Sequence, residues 1–267
     1  MTGWSLLLVA LSLAASQNDH SESDQAILDR AESAFQQGIE LRGTPDAIKH
    51  FQGAAKDYEE LRGHGIQNPA LLIDLGNACQ LAGNIPQAIF SYRCGLRLSP
   101  NNLVMRANLT YARDQVVYSS SDSFARPPES FWPPWAPRLT TRMSLWASFL
   151  FYVIVWIGLA HRMAFRPGSR PWLPGIGAAG VLCFAAVFFF QIRVEKTEAE
   201  HPVVVISVDQ TFLHKGNHSL YPRAYDTALN RGVEARLVQI RGDWLQIELS
   251  GGQVGWVPRE RALVDLP

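Results

Sequence analysis

Apolar positions along the chain follow two different periods, which are separated by segments that are apolar throughout. Residues 23–115 place apolar side chains at helical spacing, with polar positions between them. From Pro202 onward the period is two, and Leu245, Ile247 and Leu249 fall on one face of a predicted strand. Period is the main signal of secondary structure, so a helical region is expected early in the chain and a β region late.

Helix punctuation supports the first assignment. Thr44, Pro45 and Asp46 are typical of an N-cap, a proline in the first turn and an early acid. Asn84 followed by Gln87 is similar to a capping box, and it predicts a second helix start.

Three segments of the chain contain no Asp, Glu, Lys or Arg, namely residues 1–18, 143–160 and 171–192. The first has a short apolar core followed by small residues, as in a secretory signal covering 1–16, with an uncleaved anchor as the alternative. The other two predict transmembrane helices at 143–160 and 171–192, because a core helix of a soluble protein normally keeps a polar face.

The loop between those two segments, residues 161–170, carries three arginines. Positive loops stay on the cytoplasmic side, so both large polar regions are expected on the opposite side of the membrane. A Pro-rich linker at 116–142 joins the helical region to the first of the two segments. Its Trp132 and Trp135 suit an interfacial aromatic belt.

Residues 69–102 resemble the tetratricopeptide repeat, a helical hairpin of about 34 residues. Gly76 and Ala88 stand where the two helices of a repeat cross, and Tyr92 fills the gap toward the next repeat. An upstream copy and a downstream helix extend the match over 23–115.

Stacks of this family bind peptides on the concave face made by the first helices. The resemblance assigns the following residues to that groove: Ile73, Asn77, Gln80, Leu81 and Asn108. A purely architectural repeat is the alternative.

The last region, 201–267, resembles the bacterial SH3-like domain, a small closed all-β barrel. The resemblance is carried by four short runs: Tyr221-Pro222, Gly232-Val233, Gly242-Asp243-Trp244 and Gly255-Trp256-Val257-Pro258. It places Tyr221, Trp244 and Pro258 at a ligand surface, and an aromatic surface of this kind suits peptides or glycan-peptide chains. A protein-contact module without such a ligand is the alternative.

No reaction chemistry is predicted. The chain has 24 basic and 24 acidic residues and no basic run, so the sequence contains no positively charged patch that would indicate nucleic-acid binding. No catalytic motif, cofactor motif or metal-ligand spacing is present, and His214 and His218 are interpreted as exposed loop residues. Cys79 and Cys94 fall on successive helices, where two buried free thiols or a disulfide are both compatible with the sequence.

The order of these segments is similar to that of BatE-type proteins of the bacterial aerotolerance operon. The fold class expected is therefore multidomain α+β, with helical repeats, two transmembrane helices and a C-terminal SH3-like barrel. The resemblance implies a non-enzymatic scaffold of the bacterial inner membrane, with both globular domains periplasmic. Its partners would be envelope proteins such as von Willebrand factor A domain membrane proteins. The alternative is a cell-wall sensor whose SH3-like domain binds peptidoglycan.

Overall fold

The computed structural model describes residues 23–99, 102–118 and 202–264, together with helical positions 146, 149, 150, 152–158, 160, 182, 185 and 189. The predicted signal at 1–16, most of the linker at 116–142 and the loop at 161–170 lie outside the described residues. The chain divides into two compact units. One combines residues 1–129 with residues 203–267, and the other is formed by residues 130–202.

Five α-helices precede the sheet within the described part of the first unit. Their bounds are α1 (residues 23–40), α2 (Pro45–Gly63), α3 (Pro69–Leu81), α4 (Ile85–Leu98) and α5 (Leu103–Asp114). Three of them start at an asparagine whose side chain accepts a backbone N–H of the first turn: Asn68, Asn84 and Asn102. Such caps satisfy donors that have no partner within the helix, which fixes where each helix begins.

Close helix crossings depend on glycine. A Cβ on Gly76 would overlap the ring of Tyr92, which is fully buried between α3 and its neighbours. Gly95 stands in the same relation to Met105, because a Cβ there would lie 2.5 Å from the Met105 methyl carbon. Larger residues at either position would push the helices apart.

The C-terminal region forms one antiparallel sheet within the described residues. Its strands are β1 (Val203–Ile206), β2 (Glu234–Arg241), β3 (Trp244–Glu248), β4 (Val254–Pro258) and β5 (Ala262–Val264), with a 3-10 turn at Arg259–Arg261 before β5. The strand order is β4-β3-β2-β1-β5, and every neighbouring pair is antiparallel.

The predicted closed barrel is therefore wrong, because β4 and β5 lie at opposite ends of an open sheet. β5 has only three residues and pairs with β1. The outer edge of β4 is instead bridged by His214, whose backbone N–H donates to Trp256 O at 2.8 Å and whose carbonyl accepts from Trp256 N at 2.9 Å. An irregular segment thus covers an edge that would otherwise present unpaired backbone groups.

The helices and the sheet pack into one body, although residues 118 and 202 are 84 positions apart in the chain. α4 contacts both β1 and β5. The turn before β2 brings Gly232, at φ 88°, against the side chains of Val116 and Ile89. Asn230 Nδ2 donates to the carbonyl of Val117 at 2.9 Å.

A buried ion pair completes this junction. Arg113 Nε donates to Glu234 Oε1 at 2.6 Å, and Arg113 Nη2 donates to Glu234 Oε2 at 2.9 Å. Arg93 Nε lies 3.4 Å from Glu234 Oε2, an ion-pair distance without hydrogen-bond geometry. The side chains of Arg113 and Glu234 are only 3% and 5% exposed, so this contact is shielded from water.

The predicted two-pass topology in the inner membrane is contradicted. In the described part of the chain, no helix has the length and apolar character needed to cross a bilayer. Segment 171–192 is described only at positions 182, 185 and 189. The periplasmic placement of both domains depended on that topology and is corrected with it.

Candidate functional site

A groove of about 910 Å³ runs along the sheet beside the start of β3. Its apolar side is formed by Phe212, Trp244 and Pro258, together with the imidazole of His214. Its polar side includes three arginines and two carboxylates, which are Arg223, Arg259, Arg261, Asp243 and Glu260. The volume is in the range of sites that take a ligand several residues long or a drug-sized molecule.

Trp244 is set in place by the hairpin between β2 and β3. Gly242, at φ 57°, allows the tight turn that starts β3 at Trp244. Leu245 and Ile247 point into the core and are fully buried, whereas Trp244 lies on the other face and is half-buried. On that face Trp244 is directly opposite Pro258 of β4. Both side chains line the groove, and together they are called the Trp244–Pro258 platform below.

His214 stands against the edge of that platform. Its ring centroid is 5.4 Å from that of Trp244 at an interplanar angle of 80°, an edge-to-face arrangement. His214 Nδ1 is 2.9 Å from the carbonyl oxygen of Tyr221, and its backbone is bonded to Trp256. These contacts on both sides hold the imidazole, and through it the indole, in one orientation.

Of the three sheet residues predicted from the sequence, Trp244 and Pro258 line the groove, and Tyr221 does not. The Tyr221 ring lies against Gly216, where an added Cβ would come within 2.6 Å of the ring. The carbonyl oxygen of Tyr221 is 2.9 Å from His214 Nδ1. His214 was missed as a site residue. In the structure, Leu213 is fully buried between Phe212 and His214, which are half-exposed. This alternation is the only signal that could have identified His214 from the sequence, and it is too short to predict a strand.

The arginines of the groove are held by contacts other than ion pairs. The Arg223 guanidinium carbon lies 3.5 Å from the centroid of the Phe212 ring, a stacking contact that leaves the in-plane N–H groups available. The backbone N–H of Arg259 donates to Asp243 O at 2.8 Å, which positions the arginine without using its side chain. Arg223 is therefore held in a fixed plane by its ring contact, and the backbone of Arg259 is fixed beside Asp243.

The helical residues predicted to form a peptide groove are partly brought together by the structure. The Tyr92 hydroxyl donates toward Asn77 Oδ1 at 2.8 Å and Gln80 Oε1 at 3.2 Å. Asn108 Nδ2 donates to the same Asn77 oxygen at 2.8 Å. Burial raises the pKa of Tyr92 above its usual range, so the hydroxyl keeps its proton. The cluster joins α3, α4 and α5 through bonds among its own members.

The two apolar members of that prediction lie apart from this network. Ile73 is partly buried and packs against the helical core. Leu81 is the last residue of α3 and is also half-buried. The predicted helical groove thus contains a polar cluster in which Asn77 Oδ1 and Gln80 Oε1 already accept internal hydrogen bonds.

Cys79 and Cys94 are both buried, and they do not form a disulfide with each other. Burial raises the pKa of Cys79 to about 12, and it is also the main cause that raises the pKa of Cys94. Neither has the lowered pKa that activates a cysteine nucleophile. Across the described residues, no group of three or more His, Cys, Asp or Glu side chains is placed to hold a metal ion.

Comparisons of the chain with protein-family models, with curated proteins and with solved structures give no match in any of the three. The function is therefore inferred from the groove on the sheet and from its connection to the helices.

Proposed function

We propose that the protein is a non-enzymatic scaffold that holds an extended peptide segment of a partner protein in the groove beside Trp244. The observation that carries this proposal is the Trp244–Pro258 platform, which is half-buried, fixed by His214 and open to a groove of about 910 Å³. Tryptophan is enriched among residues that dominate protein-binding energies, because it buries much apolar area with few rotatable bonds.

Pre-organisation is the physical reason that this surface favours binding. The indole is held by its position opposite Pro258 and by the edge contact with His214, which is itself bonded to two other segments. A ligand therefore does not have to order the platform on arrival. Avoiding that ordering is worth about 0.5–1.5 kcal/mol for each side chain that would otherwise be immobilised.

The scaffold role follows from the junction between helices and sheet. The Arg113–Glu234 pair and the contacts of Gly232 with Val116 and Ile89 join the groove-bearing sheet to the helices. A partner held at Trp244 would keep a defined position relative to α4 and α5. The helical face containing Asn77 and Asn108 is proposed as a second contact surface.

The resemblance to BatE-type proteins supplies the partner class in this proposal. In that family such proteins accompany von Willebrand factor A domain proteins, and an exposed acidic or apolar segment of such a protein is the expected occupant of the groove. Peptidoglycan binding is the competing function, since a tryptophan face also stacks on sugar rings.

Site-specific crosslinking tests the proposal. A photoreactive amino acid is placed at Ser219, which lines the groove, and for control at Tyr111, which is 60% exposed on α5. We expect an adduct at position 219 that mass spectrometry identifies as one protein segment and that disappears in a Trp244→Ala background. The position 111 adducts should not depend on Trp244. A position 219 adduct that consists of glycan, or that persists in Trp244→Ala, would overturn the proposed function.

A further inference from the structure

We infer that the groove selects an acidic peptide, one in which aspartate or glutamate residues flank a single apolar side chain. This inference rests on the proposed function and specifies its ligand. It derives from the charges that surround the Trp244–Pro258 platform. It concerns which peptide is bound, whereas the scaffold proposal requires only that some peptide is bound.

The lining of the groove has more cationic than anionic groups. It contains Arg223, Arg259 and Arg261 against Asp243 and Glu260, a difference of one positive charge. Two further cationic residues stand next to lining positions and are exposed: Lys215, which follows His214, and Arg241, which is paired with Trp244 across the hairpin. The excess is local, because the chain as a whole has 24 basic and 24 acidic residues.

Within the described residues, the three groove arginines form no ion pair with a carboxylate. Ion pairs within 4.0 Å in the described C-terminal region include those of Arg93 and Arg113 with Glu234, of Arg231 with Asp209 and of Arg236 with Glu248. In that part of the chain, Arg223, Arg259 and Arg261 have no carboxylate at such a distance. Their charge is therefore available to an incoming anion.

The geometry of Arg223 favours a carboxylate in particular. With its guanidinium face stacked on Phe212 at 3.5 Å, the group presents its N–H edges in a fixed plane. A carboxylate matches two parallel N–H donors, and such bidentate pairs are stronger and more directional than a contact with a lysine ammonium. A stacked arginine also loses less rotamer freedom when it binds.

The aromatic platform adds the apolar requirement. Trp244 and Pro258 offer a surface for one apolar side chain, and the arginines lie on the lining around that surface. A peptide that is acidic throughout would leave the platform facing solvent, whereas an apolar peptide would leave the arginines without anions. An acidic peptide with one central apolar residue satisfies both parts of the groove.

A fluorescence anisotropy titration of the full chain tests the inference. The probe is fluorescein-labelled Gly-Asp-Glu-Leu-Glu-Asp-Gly, and the matched probe replaces every Asp by Asn and every Glu by Gln. We expect the acidic probe to bind at least tenfold more tightly at low salt, and this preference to shrink at high salt, since exposed charges are screened there.

Variants assign the preference to the groove. The double substitution Arg259→Gln with Arg261→Gln should reduce affinity for the acidic probe at least tenfold and leave the neutral probe unchanged. Arg236→Gln, an exposed arginine of the same sheet that pairs with Glu248 at 3.9 Å, should leave both affinities unchanged. All three substituted side chains are at least partly exposed, so the variants should keep the wild-type melting temperature.

The outcomes separate the two proposals. If both probes bind with equal affinity and neither binds to Trp244→Ala, the acidic preference is overturned, and the scaffold function is retained. Binding of the acidic probe that survives Trp244→Ala but falls equally in Arg236→Gln shows a general charge effect and also overturns the inference. If neither probe binds and no protein adduct forms at position 219, the scaffold function itself is overturned.

Discussion

Replacing Glu234 by glutamine removes the anion at the junction between helices and sheet. In the wild-type protein this carboxylate accepts two hydrogen bonds from Arg113, at 2.6 and 2.9 Å, and lies 3.4 Å from Arg93 Nε. The substitution keeps the size of the side chain and removes its charge. It therefore leaves two guanidinium groups facing a neutral amide in a site where the Glu234 side chain is 5% exposed.

Breaking a buried ion pair by removing one partner costs about 3–5 kcal/mol, mostly because the remaining charge is poorly solvated. The upper part of this range is expected for Glu234→Gln, since two cations lose the same anion. Arg113→Met should cost less, because Glu234 then keeps Arg93 as a cationic neighbour at 3.4 Å. The asymmetry follows from the geometry and distinguishes an electrostatic effect from loss of packing.

Urea unfolding of the full chain, followed by circular dichroism, measures this cost. With a slope of about 2 kcal/mol per molar urea, a loss of 3–5 kcal/mol lowers the midpoint by about 1.5–2.5 M. Glu248→Gln is the matched control, because its partner Arg236 is 3.9 Å away and both side chains are about 40% exposed. Such an exposed pair contributes about 0–1 kcal/mol. Equal midpoint shifts for the two glutamine variants would refute the reasoning.

Three further predictions concern the helical core. Gly76→Ala should lower the melting temperature, at a cost of about 1–3 kcal/mol, because the new methyl overlaps the ring of Tyr92. Gly53→Ala, where a Cβ meets nothing within 4 Å, should instead raise stability by up to about 1 kcal/mol, and a matching loss in both variants would contradict the packing argument. Cys79 should react with a thiol reagent only after unfolding, so rapid labelling of the native chain would be inconsistent with its burial. Because burial raises the pKa of Cys79 from 9.0 to about 12, the unfolded chain loses this proton first, and stability should fall as pH rises from 9 toward 12. The fall should be smaller in Cys79→Ala, measured by urea midpoints at several pH values.

Local chemistry explains why several helix starts were predictable. Asn84 accepts from the backbone N–H of Gln87 at 3.4 Å, so the capping position inferred from the sequence is confirmed. Pro45 is the first residue of α2 and Thr44 is its N-cap residue, also as expected. The Thr44 hydroxyl, however, donates to the carbonyl of Leu41 at 2.8 Å and makes no cap bond. Residue type predicted the boundary here, whereas the bond formed depended on the preceding turn.

The long-range parts of the fold were not predictable from local patterns. Arg113 and Glu234 are 121 residues apart, and each sits in a segment that looks like an ordinary amphipathic element. The open sheet was missed because strand signals do not reveal which edges pair, and the bridge from His214 to β4 uses an irregular segment. The prediction of transmembrane helices at 143–160 and 171–192 was wrong, because no helix in the described part of the chain is long and apolar enough to cross a bilayer.

In the candidate site, too, residues placed by a local pattern were predictable, and residues brought together by the tertiary fold were not. Trp244 was predictable because a clean alternation assigns it to the face opposite Leu245 and Ile247. The arginines were not, because Arg223 and the Arg259–Arg261 turn come from separate loops that only the folded chain brings together.

The 121-residue separation of Arg113 and Glu234 has a consequence for the order of folding. Closing a loop of that length costs about 1.8 kcal/mol more entropy than closing one of 15 residues, on a logarithmic dependence. The helical hairpins need only neighbouring residues and are expected to form first, while the sheet docks late in a slower step. During synthesis, the surfaces of α4 and α5 that receive the sheet, and Arg113 with them, therefore remain uncovered until the chain has been extended past β2.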